Sequence, residues 1–214
     1  LQAHVGVFGG HRSGDKTKAI LARICWWEGM NVDIDRWYDT CLTCTRFAKR
    51  AVKTEQVAVK PKGVQCWEEV MVDCEGPSTP EDRKGCKYVL TYVDCLSGAV
   101  LLEQMLNLTR SEVRRAFARC IFRSGTLPLF LRTDRGQEFK SAIIAEYTSL
   151  IGTRHKFSMP WRPMEQGKVE RVHQETQKVL GLMVQDVMKC DPSEWSECLC
   201  VVEFVLYNTP GPHG

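Results

Sequence analysis

Two stretches decide the fold class: Thr133-Asp134-Arg135-Gly136-Gln137-Glu138-Phe139 and, further along the chain, Gln166-Gly167-Lys168-Val169-Glu170-Arg171. The first stretch follows an apolar run, residues 128–131, which predicts a buried strand that ends at Asp134. The second opens a long run whose apolar residues recur at i, i+3, i+4 and i+7, the spacing of a helix with one buried face. One acid is therefore expected at the end of a strand and the other, Glu170, near the start of a helix.

A third acid, Asp73, lies near the end of a β-rich run over residues 69–74, just before the break Gly76-Pro77. Asp and Glu offer hard oxygen ligands, and two or three on neighbouring elements suit Mg²⁺ or Mn²⁺ while leaving positions for phosphate oxygens and water. Each acid alone would be interpreted as a turn or cap residue. Together, Asp73, Asp134 and Glu170 predict a metal-dependent phosphoryl-transfer site that needs no side-chain nucleophile.

Other acids near these positions receive an ordinary structural interpretation. Asp94 begins a turn that ends in Ser97-Gly98, which is the position that turn chemistry prefers for Asp. Glu75 and Glu138 are interpreted as surface groups or as groups that support the metal ligands.

The composition is that of a globular protein, and it permits nucleic-acid binding but does not require it. Hydrophobic residues make up 43% of the chain, and the formal net charge is only +3, so a nucleic-acid partner would be held by local basic clusters. Eleven cysteines, an odd count without the spacing of a disulfide scaffold, indicate a reducing compartment. No apolar run approaches the roughly 18 residues of a membrane span, so no membrane partner is expected. The start at Leu1, neither Met nor a signal peptide, predicts a segment of a longer protein.

The N-terminal residues 1–55 have the spacing of a metal site. Six residues lie between His4 and His11, twenty-nine follow before Cys41, and two lie between Cys41 and Cys44. Imidazole and thiolate are the ligands of a closed tetrahedral zinc site. A redox dithiol or two idle cysteines would be the alternative for a C-x-x-C pair alone. A redox pair should open a helix after a strand, whereas this pair closes a helical segment after two histidines, which favours structural Zn²⁺.

Two helices are expected between the ligand pairs, and a unit this small would need the metal in order to fold. The first helix is predicted over residues 16–24. The second is predicted to have Asn31 as its N-cap, with Ile34, Trp37, Tyr38 and Cys41 on one face, so that Cys41 projects toward the core.

A basic segment, residues 46–62, is interpreted as the linker between two domains, which extends to about residue 65. It is either a solvated tether or a strip that neutralises DNA phosphates, in which case Arg50 and Lys53 are candidate DNA contacts. The second domain is predicted over residues 66–214.

The second domain shows three consecutive strands, then alternating helices and strands, and finally helices. This order predicts an α/β fold with a mixed sheet. The predicted strands are residues 69–74, 87–94, 99–105, 129–132 and 154–158, and the predicted helices are residues 110–122, 138–150, 166–188 and 193–207.

The helix that carries Glu170 has two distinct faces at 100° per residue. Its packed face is predicted to hold Val169, Val172, Thr176, Val179, Leu180, Met183 and Val187. Glu170, His173, Gln174 and Gln177 gather on another face, which is either solvated or laid along DNA whose phosphate reaches the metals. Lys168 and Arg171 are further candidate DNA contacts on the same helix.

Taken in order, these motifs resemble those of the integrases of gypsy-type LTR retrotransposons and their retroviral relatives, over nearly the whole chain. The matching motifs are the His-His-Cys-Cys pattern, Gly10-His11 with Lys16-Thr17, Cys41-Leu42-Thr43-Cys44, Asp73-Cys74-Glu75-Gly76-Pro77, Tyr92-Val93-Asp94 with Ser97, Thr133-Asp134-Arg135-Gly136 with Glu138-Phe139, and Gly167-Lys168-Val169-Glu170-Arg171. The resemblance implies a zinc-binding domain followed by a ribonuclease H-like catalytic core with Asp73, Asp134 and Glu170 as metal ligands.

The resemblance also implies an activity: 3′-end processing of element DNA and transfer of its strands into a chromosome. The expected partners are element-end DNA, target DNA and further copies of the chain in a homo-oligomer. The expected place of action is the nucleus, after synthesis as part of a cytoplasmic polyprotein. The alternative is a domesticated integrase-like module that binds nucleic acid or protein without catalysis, although all three acids are retained.

Overall fold

The computed structural model describes residues 2–6, 9–47, 65–133, 148–157, 163–184 and 191–208. The chain divides into two compact units. One, which we call the helical unit, comprises Leu1–Ala58 and Glu175–Gly214, and the other, the sheet unit, comprises Val59–Gln174. The change of unit after Ala58 lies close to the linker expected from the sequence, whereas the predicted domain limits of 1–55 and 66–214 stay a prediction.

The sheet unit contains a five-stranded mixed sheet, which confirms the predicted fold class. Its strands are β1 (Glu69–Glu75), β2 (Tyr88–Asp94), β3 (Val100–Met105), β4 (Phe130–Thr133) and β5 (Arg154–Phe157). The order across the sheet is β3-β2-β1-β4-β5. β1, β2 and β3 pair antiparallel as a meander, whereas β4 pairs parallel to β1 and β5 parallel to β4.

The core of the sheet unit lies between the sheet and helix α5 (Arg110–Ser124). Val70, Val72 and Leu90 are fully buried strand residues, and Phe117 of α5 is 2% exposed. Burying each such side chain stabilises the fold by about 1.5–3 kcal/mol. Alternation along β1 places Val70 and Val72 on the α5 face and Asp73 on the opposite face.

The N-terminal part of the helical unit holds α1 (Gln2–Val5), α2 (Gly14–Leu21), α3 (Met30–Asp39) and α4 (Leu42–Phe47). The predicted N-cap, Asn31, is wrong: Gly29, with φ of 79°, caps α3, because the chain enters the helix through a left-handed turn that suits glycine. The expectation that Cys41 lies on the face of this helix is also wrong, since α3 ends at Asp39. Its buried residues are Met30 and Ile34.

The C-terminal helices are α6 (Pro163–Leu182), a 3₁₀ helix (Pro192–Cys198) and α7 (Leu199–Tyr207). α6 begins at Pro163, three residues before the predicted start. Proline is well tolerated at the first position of a helix, because the N–H that it lacks would have no partner within the helix there. The single final helix predicted over residues 193–207 is instead a 3₁₀ helix followed directly by α7, and non-helical backbone at Glu194 (φ −108°, ψ 16°) interrupts the 3₁₀ helix. No described helix is both long and apolar enough to cross a membrane.

Candidate metal centres

His4, His11, Cys41 and Cys44 converge within the helical unit. Their ligand atoms all lie within 4.8 Å of one another. Cys41 Sγ lies 3.3 Å from His11 Nδ1, and Cys44 Sγ lies 3.3 Å from His4 Nε2 and 3.6 Å from His11 Nδ1. The structure therefore brings together all four residues that the spacing singled out, across as many as forty positions of sequence.

These distances fit a tetrahedral zinc ion. With bonds of about 2.3 Å to sulfur and about 2.0 Å to nitrogen, a zinc ion with tetrahedral angles holds such atoms about 3.5 Å apart. His4, His11 and Cys44 are buried and Cys41 is half-buried, as is typical of a closed structural site. Two thiolates and two neutral imidazoles form the donor set, with His4 presenting Nε2 and His11 presenting Nδ1.

Local backbone geometry explains how the ligands meet. His4 lies in α1, and the turn that follows returns the chain so that His11 N donates to the His4 carbonyl at 2.8 Å. Gly10 and His11 both have positive φ, 60° and 48°, which closes this turn tightly. Cys41 lies between α3 and α4, and Cys44 lies within α4, so the junction between the two helices and the start of α4 supply one cysteine each.

Burial, followed by the neighbouring His11, lowers the pKa of His4 to about 4. At neutral pH its imidazole is therefore uncharged, and its ring nitrogen has a lone pair available for a metal. The ring also lies edge-on to Tyr38, with centroids 5.7 Å apart. Burial thus keeps the His4 imidazole in the neutral form that metal coordination requires.

The second predicted centre would lie at the end of β4, beside β1. The parallel register places Val72 opposite Thr133, and Asp73 directly follows Val72. Asp73 is half-buried, and its Oδ1 accepts a hydrogen bond from Cys74 N at 2.8 Å. Asp134 directly follows Thr133 in sequence but lies outside the described residues. Glu170 belongs to helix α6, and its side chain also lies outside what the structure describes.

A hydrogen bond between β4 and β5 lies next to this strand end. Thr133 Oγ1 and His155 Nε2 are 2.8 Å apart, and Thr133 is fully buried. Burial lowers the pKa of His155, so its ring is held neutral at physiological pH. No sequence pattern predicts this pair, because only the β4–β5 register, which sets Leu131 opposite His155, brings the two side chains together.

A buried ion pair lies on the same face of the sheet as Asp73. The Glu69 carboxylate, 2% exposed, pairs with the Arg132 guanidinium, which belongs to a residue 8% exposed. Glu69, Met71 and Asp73 alternate onto one face of β1, and Met71 stands opposite Arg132 in the register. Removing either partner would leave a buried charge, which typically costs about 3–5 kcal/mol. The pair therefore anchors the β1–β4 pairing beneath the predicted centre.

Asp94 has the structural role that the turn motif predicts. Its carboxylate accepts hydrogen bonds from Trp67 N at 2.9 Å and from Ser97 N and Oγ at 2.8 and 2.5 Å. In the β1–β2 register Asp94 stands opposite Val70, three residues before Asp73. Asp94 thus closes the β2–β3 turn at the far end of the strand from Asp73.

The predicted DNA contacts are only partly described. Gln174 and Gln177 are exposed on α6, as their predicted face requires, while the side chains of Lys168, Arg171 and His173 lie outside the described residues. Arg50 and Lys53 of the predicted linker lie outside the described ranges as well. The contact of these seven residues with DNA stays a prediction.

Comparison with known proteins identifies the class of these two regions. Residues 1–50 match the family model of the integrase zinc binding domain, and residues 71–163 match that of the integrase core domain. The chain is therefore similar, in order, to an integrase zinc binding domain and to an integrase core domain.

Three relatives illustrate the similarity. The chain is 26% identical over 212 residues to the Pro-Pol polyprotein of simian foamy virus type 3 (strain LK3), covering 99% of this chain and 18% of that protein. It is 27% identical over 199 residues to the Pro-Pol polyprotein of feline foamy virus, covering 90% and 16%. It is 30% identical over 130 residues to the Pol polyprotein of radiation murine leukemia virus (strain Kaplan), covering 61% and 22%.

The chain thus spans less than a quarter of the length of these curated relatives. They are foamy virus and leukaemia virus polyproteins, so the similarity is to retroviral-type integrases in general, and the narrower gypsy-type assignment stays a prediction. Among solved structures, the catalytic core domain of BIV integrase is 22% identical, with a TM-score of 0.49 over 64% of this chain and 82% of that one.

Proposed function

We propose that this chain is the zinc-binding and catalytic part of an integrase that processes the 3′ ends of element DNA and joins them to target DNA. The element would be an LTR retrotransposon of gypsy type, on the motif resemblance, or a close retroviral relative. The protein would be made within a cytoplasmic polyprotein and act in the nucleus as a homo-oligomer. The reaction is phosphoryl transfer at Asp73, Asp134 and Glu170.

The observation that carries the proposal is the parallel pairing of β1 with β4 in a chain that matches the integrase core domain. Val72 and Thr133 are register partners, and each directly precedes one of the two proposed catalytic aspartates. Parallel strands run in the same direction, so the residues that follow two register partners are expected to lie side by side. Two carboxylates at such positions could bind the same cations. The buried Glu69–Arg132 pair and the Thr133–His155 hydrogen bond support this edge from both faces of the sheet.

The residues of the chain fit Mg²⁺ or Mn²⁺, because Asp and Glu donate only hard oxygens. When bound, such ions supply Lewis-acid stabilisation of the attacking and leaving oxygens. Asp73 in β1 and Glu170 in α6 would hold the ions from two elements, with Asp134 between them in sequence. The chain itself thus contributes orientation and negative charge rather than a covalent nucleophile.

The zinc-binding residues would have a structural task in the same protein. A segment as small as the N-terminal helices has too little core to fold unaided, and metal binding can supply the missing folding free energy. Zinc at His4, His11, Cys41 and Cys44 would therefore hold α1, α3 and α4 together.

The proposal is tested by incubating the purified chain with short element-end DNA, a supercoiled plasmid and magnesium. Sequencing of the plasmid products should reveal supplied 3′ ends joined covalently to plasmid strands, and chelation of magnesium should abolish them. A folded, zinc-loaded chain that binds DNA but yields no joints would instead favour the domesticated, non-catalytic module.

A further inference from the structure

The turn that carries the zinc ligand His11 also packs against the last helix of the helical unit. Gly10 approaches Val205 of α7 so closely that a Cβ at Gly10 would lie 2.4 Å from Val205 Cγ1. Its φ of 60° further disfavours any residue with a side chain. Val205 itself is 1% exposed, and Val202, one turn earlier, is fully buried. The ligand turn is therefore fitted to this helix.

Arg12, on the other side of His11, closes the end of the same helix. Its Nη2 donates to the Val205 carbonyl at 3.0 Å, and the residue is only 8% exposed. The last four carbonyls of a helix have no intrahelical donor. Asn208 donates to the Phe204 carbonyl through Nδ2 at 2.8 Å, and Arg12 supplies a donor for the next carbonyl. A cation at this position also interacts favourably with the negative end of the helix dipole.

A third contact joins the same region to α6. Lys16 Nζ lies 2.8 Å from Glu175 Oε1. On the same helix α2, Lys18 instead pairs locally with Asp35 of α3 at 2.6 Å. Gly10, Arg12 and Lys16 thus form one surface, which we call the docking turn, and it faces helices that follow it by more than 150 residues.

We infer that zinc binding and the docking of α7 are thermodynamically linked through the docking turn. His11 gives Nδ1 to the ligand cluster, and its two sequence neighbours contact α7. Zinc coordination by His11 would therefore fix the backbone between Gly10 and Arg12, the two residues that contact α7. Linkage is reciprocal, so a helix near the C-terminus should in turn raise the affinity of the N-terminal ligands for zinc. This role is independent of the acid triad and of DNA joining.

Hydrogen exchange in the whole chain tests the first direction of this linkage. Removing zinc with a chelator should raise exchange at residues 199–208 at least about tenfold, while β1 and β2 keep their protection. Unchanged exchange in α7 after complete zinc removal would overturn the inference.

Zinc affinity of α7 variants tests the reverse direction. Val205→Asp, which places a charge against Gly10, should raise the zinc dissociation constant at least about fivefold, the lower end of typical couplings between sites. Tyr207→Asp adds the same charge to the same helix at an exposed position and should leave zinc affinity unchanged. Equal affinities in a folded Val205→Asp chain and in wild type would contradict the linkage.

A further variant decides the matter even if Val205→Asp does not fold. Arg12→Met keeps the length of the side chain and removes the donor to the Val205 carbonyl. In the zinc-saturated variant, exchange at residues 206–208 should rise at least about tenfold, whereas Lys18→Met should leave it as in wild type. Wild-type exchange in Arg12→Met would show that the docking turn does not hold α7.

Discussion

Among single residues, Cys44 contacts two other members of the predicted zinc cluster. Its sulfur lies 3.3 Å from His4 Nε2 and 3.6 Å from His11 Nδ1, and the residue is 2% exposed. The convergence of the four residues was predictable from the sequence, because a metal site sets the ligand types and their spacing more than the surrounding fold does. Their positions along the backbone were not, since a ligand can be supplied from a helix or from a turn.

We predict that Cys44→Ser lowers the zinc content to well below one ion per chain, because a hydroxyl replaces a thiolate in a buried site. Elemental analysis of the purified variant measures this directly. Cys25→Ser, at an exposed cysteine outside the cluster, is the control and should keep stoichiometric zinc. Stoichiometric zinc in Cys44→Ser would mean that the ligand set is wrong.

His155 gives a prediction about pH. Burial lowers its pKa, so the folded chain keeps the ring neutral while the unfolded chain takes up a proton below about pH 6.5. The unfolded state therefore binds more protons there, and this contribution to stability is present above that pH and is lost as the pH falls. His155→Gln keeps a hydrogen-bonding group toward Thr133 but cannot titrate.

Urea unfolding at several pH values checks this prediction. Between about pH 7.5 and pH 5, wild type should lose stability relative to His155→Gln. A difference between the two proteins that does not change with pH would show that His155 does not titrate with folding.

Among the helices, α6 combines a packed face that is confirmed in part with an untested polar face. Thr176, Val179 and Met183 are buried at the predicted positions, whereas Gln174 and Gln177 are exposed. Amide side chains can bond base edges or phosphates, and the resemblance to integrases favours a DNA contact along this face.

The double variant Gln174→Ala, Gln177→Ala should weaken binding of end DNA and strand transfer while changing stability by no more than about 0.5 kcal/mol. Crosslinking to labelled DNA and thermal unfolding provide the two readouts. Asn31→Ala, which removes an exposed amide from α3, serves as the control. Unchanged crosslinking and unchanged activity in the double variant would assign this face of α6 to solvent.

The strands show how far local sequence determines structure here. β1 ends one residue beyond its predicted limit and β2 begins one residue later, because apolar runs and turn motifs mark strand ends well. The Thr133–His155 bond could not be predicted, since it depends on the register of parallel strands joined by a long crossover. Likewise, α3 is capped by Gly29 rather than by the predicted Asn31. The left-handed backbone at Gly29 determines where this helix begins, whereas the prediction considered only side-chain capping.

For the chain as a whole, the modest net charge limits how DNA can be held. With a formal charge of +3, DNA binding would depend on local basic clusters, and the predicted linker with Arg50 and Lys53 is one candidate cluster. The docking of α7 on the zinc ligand turn was beyond sequence reasoning, because contacts across 193 residues leave no local pattern.

Arg50→Gln combined with Lys53→Gln should reduce DNA affinity and make its salt dependence shallower. Each lost phosphate contact removes about 0.9 from the slope of log K against log salt on duplex DNA, so two contacts should remove about 1.8. Binding titrations at several salt concentrations measure the slope. An unchanged slope would identify the segment as a tether.

The central claim is that Asp73, Asp134 and Glu170 form the site of DNA strand transfer. Comparing wild type with Asp134→Asn in the strand-transfer assay tests this claim most directly. The amide keeps the shape of the side chain but removes the charge that holds a divalent ion, so both end processing and strand transfer should fall by more than about 10²-fold, beyond the loss typical of outer-shell groups. Glu81→Gln, which neutralises an exposed acid outside the triad, should retain activity. Joining by a folded, zinc-loaded Asp134→Asn chain at the wild-type rate would contradict the account.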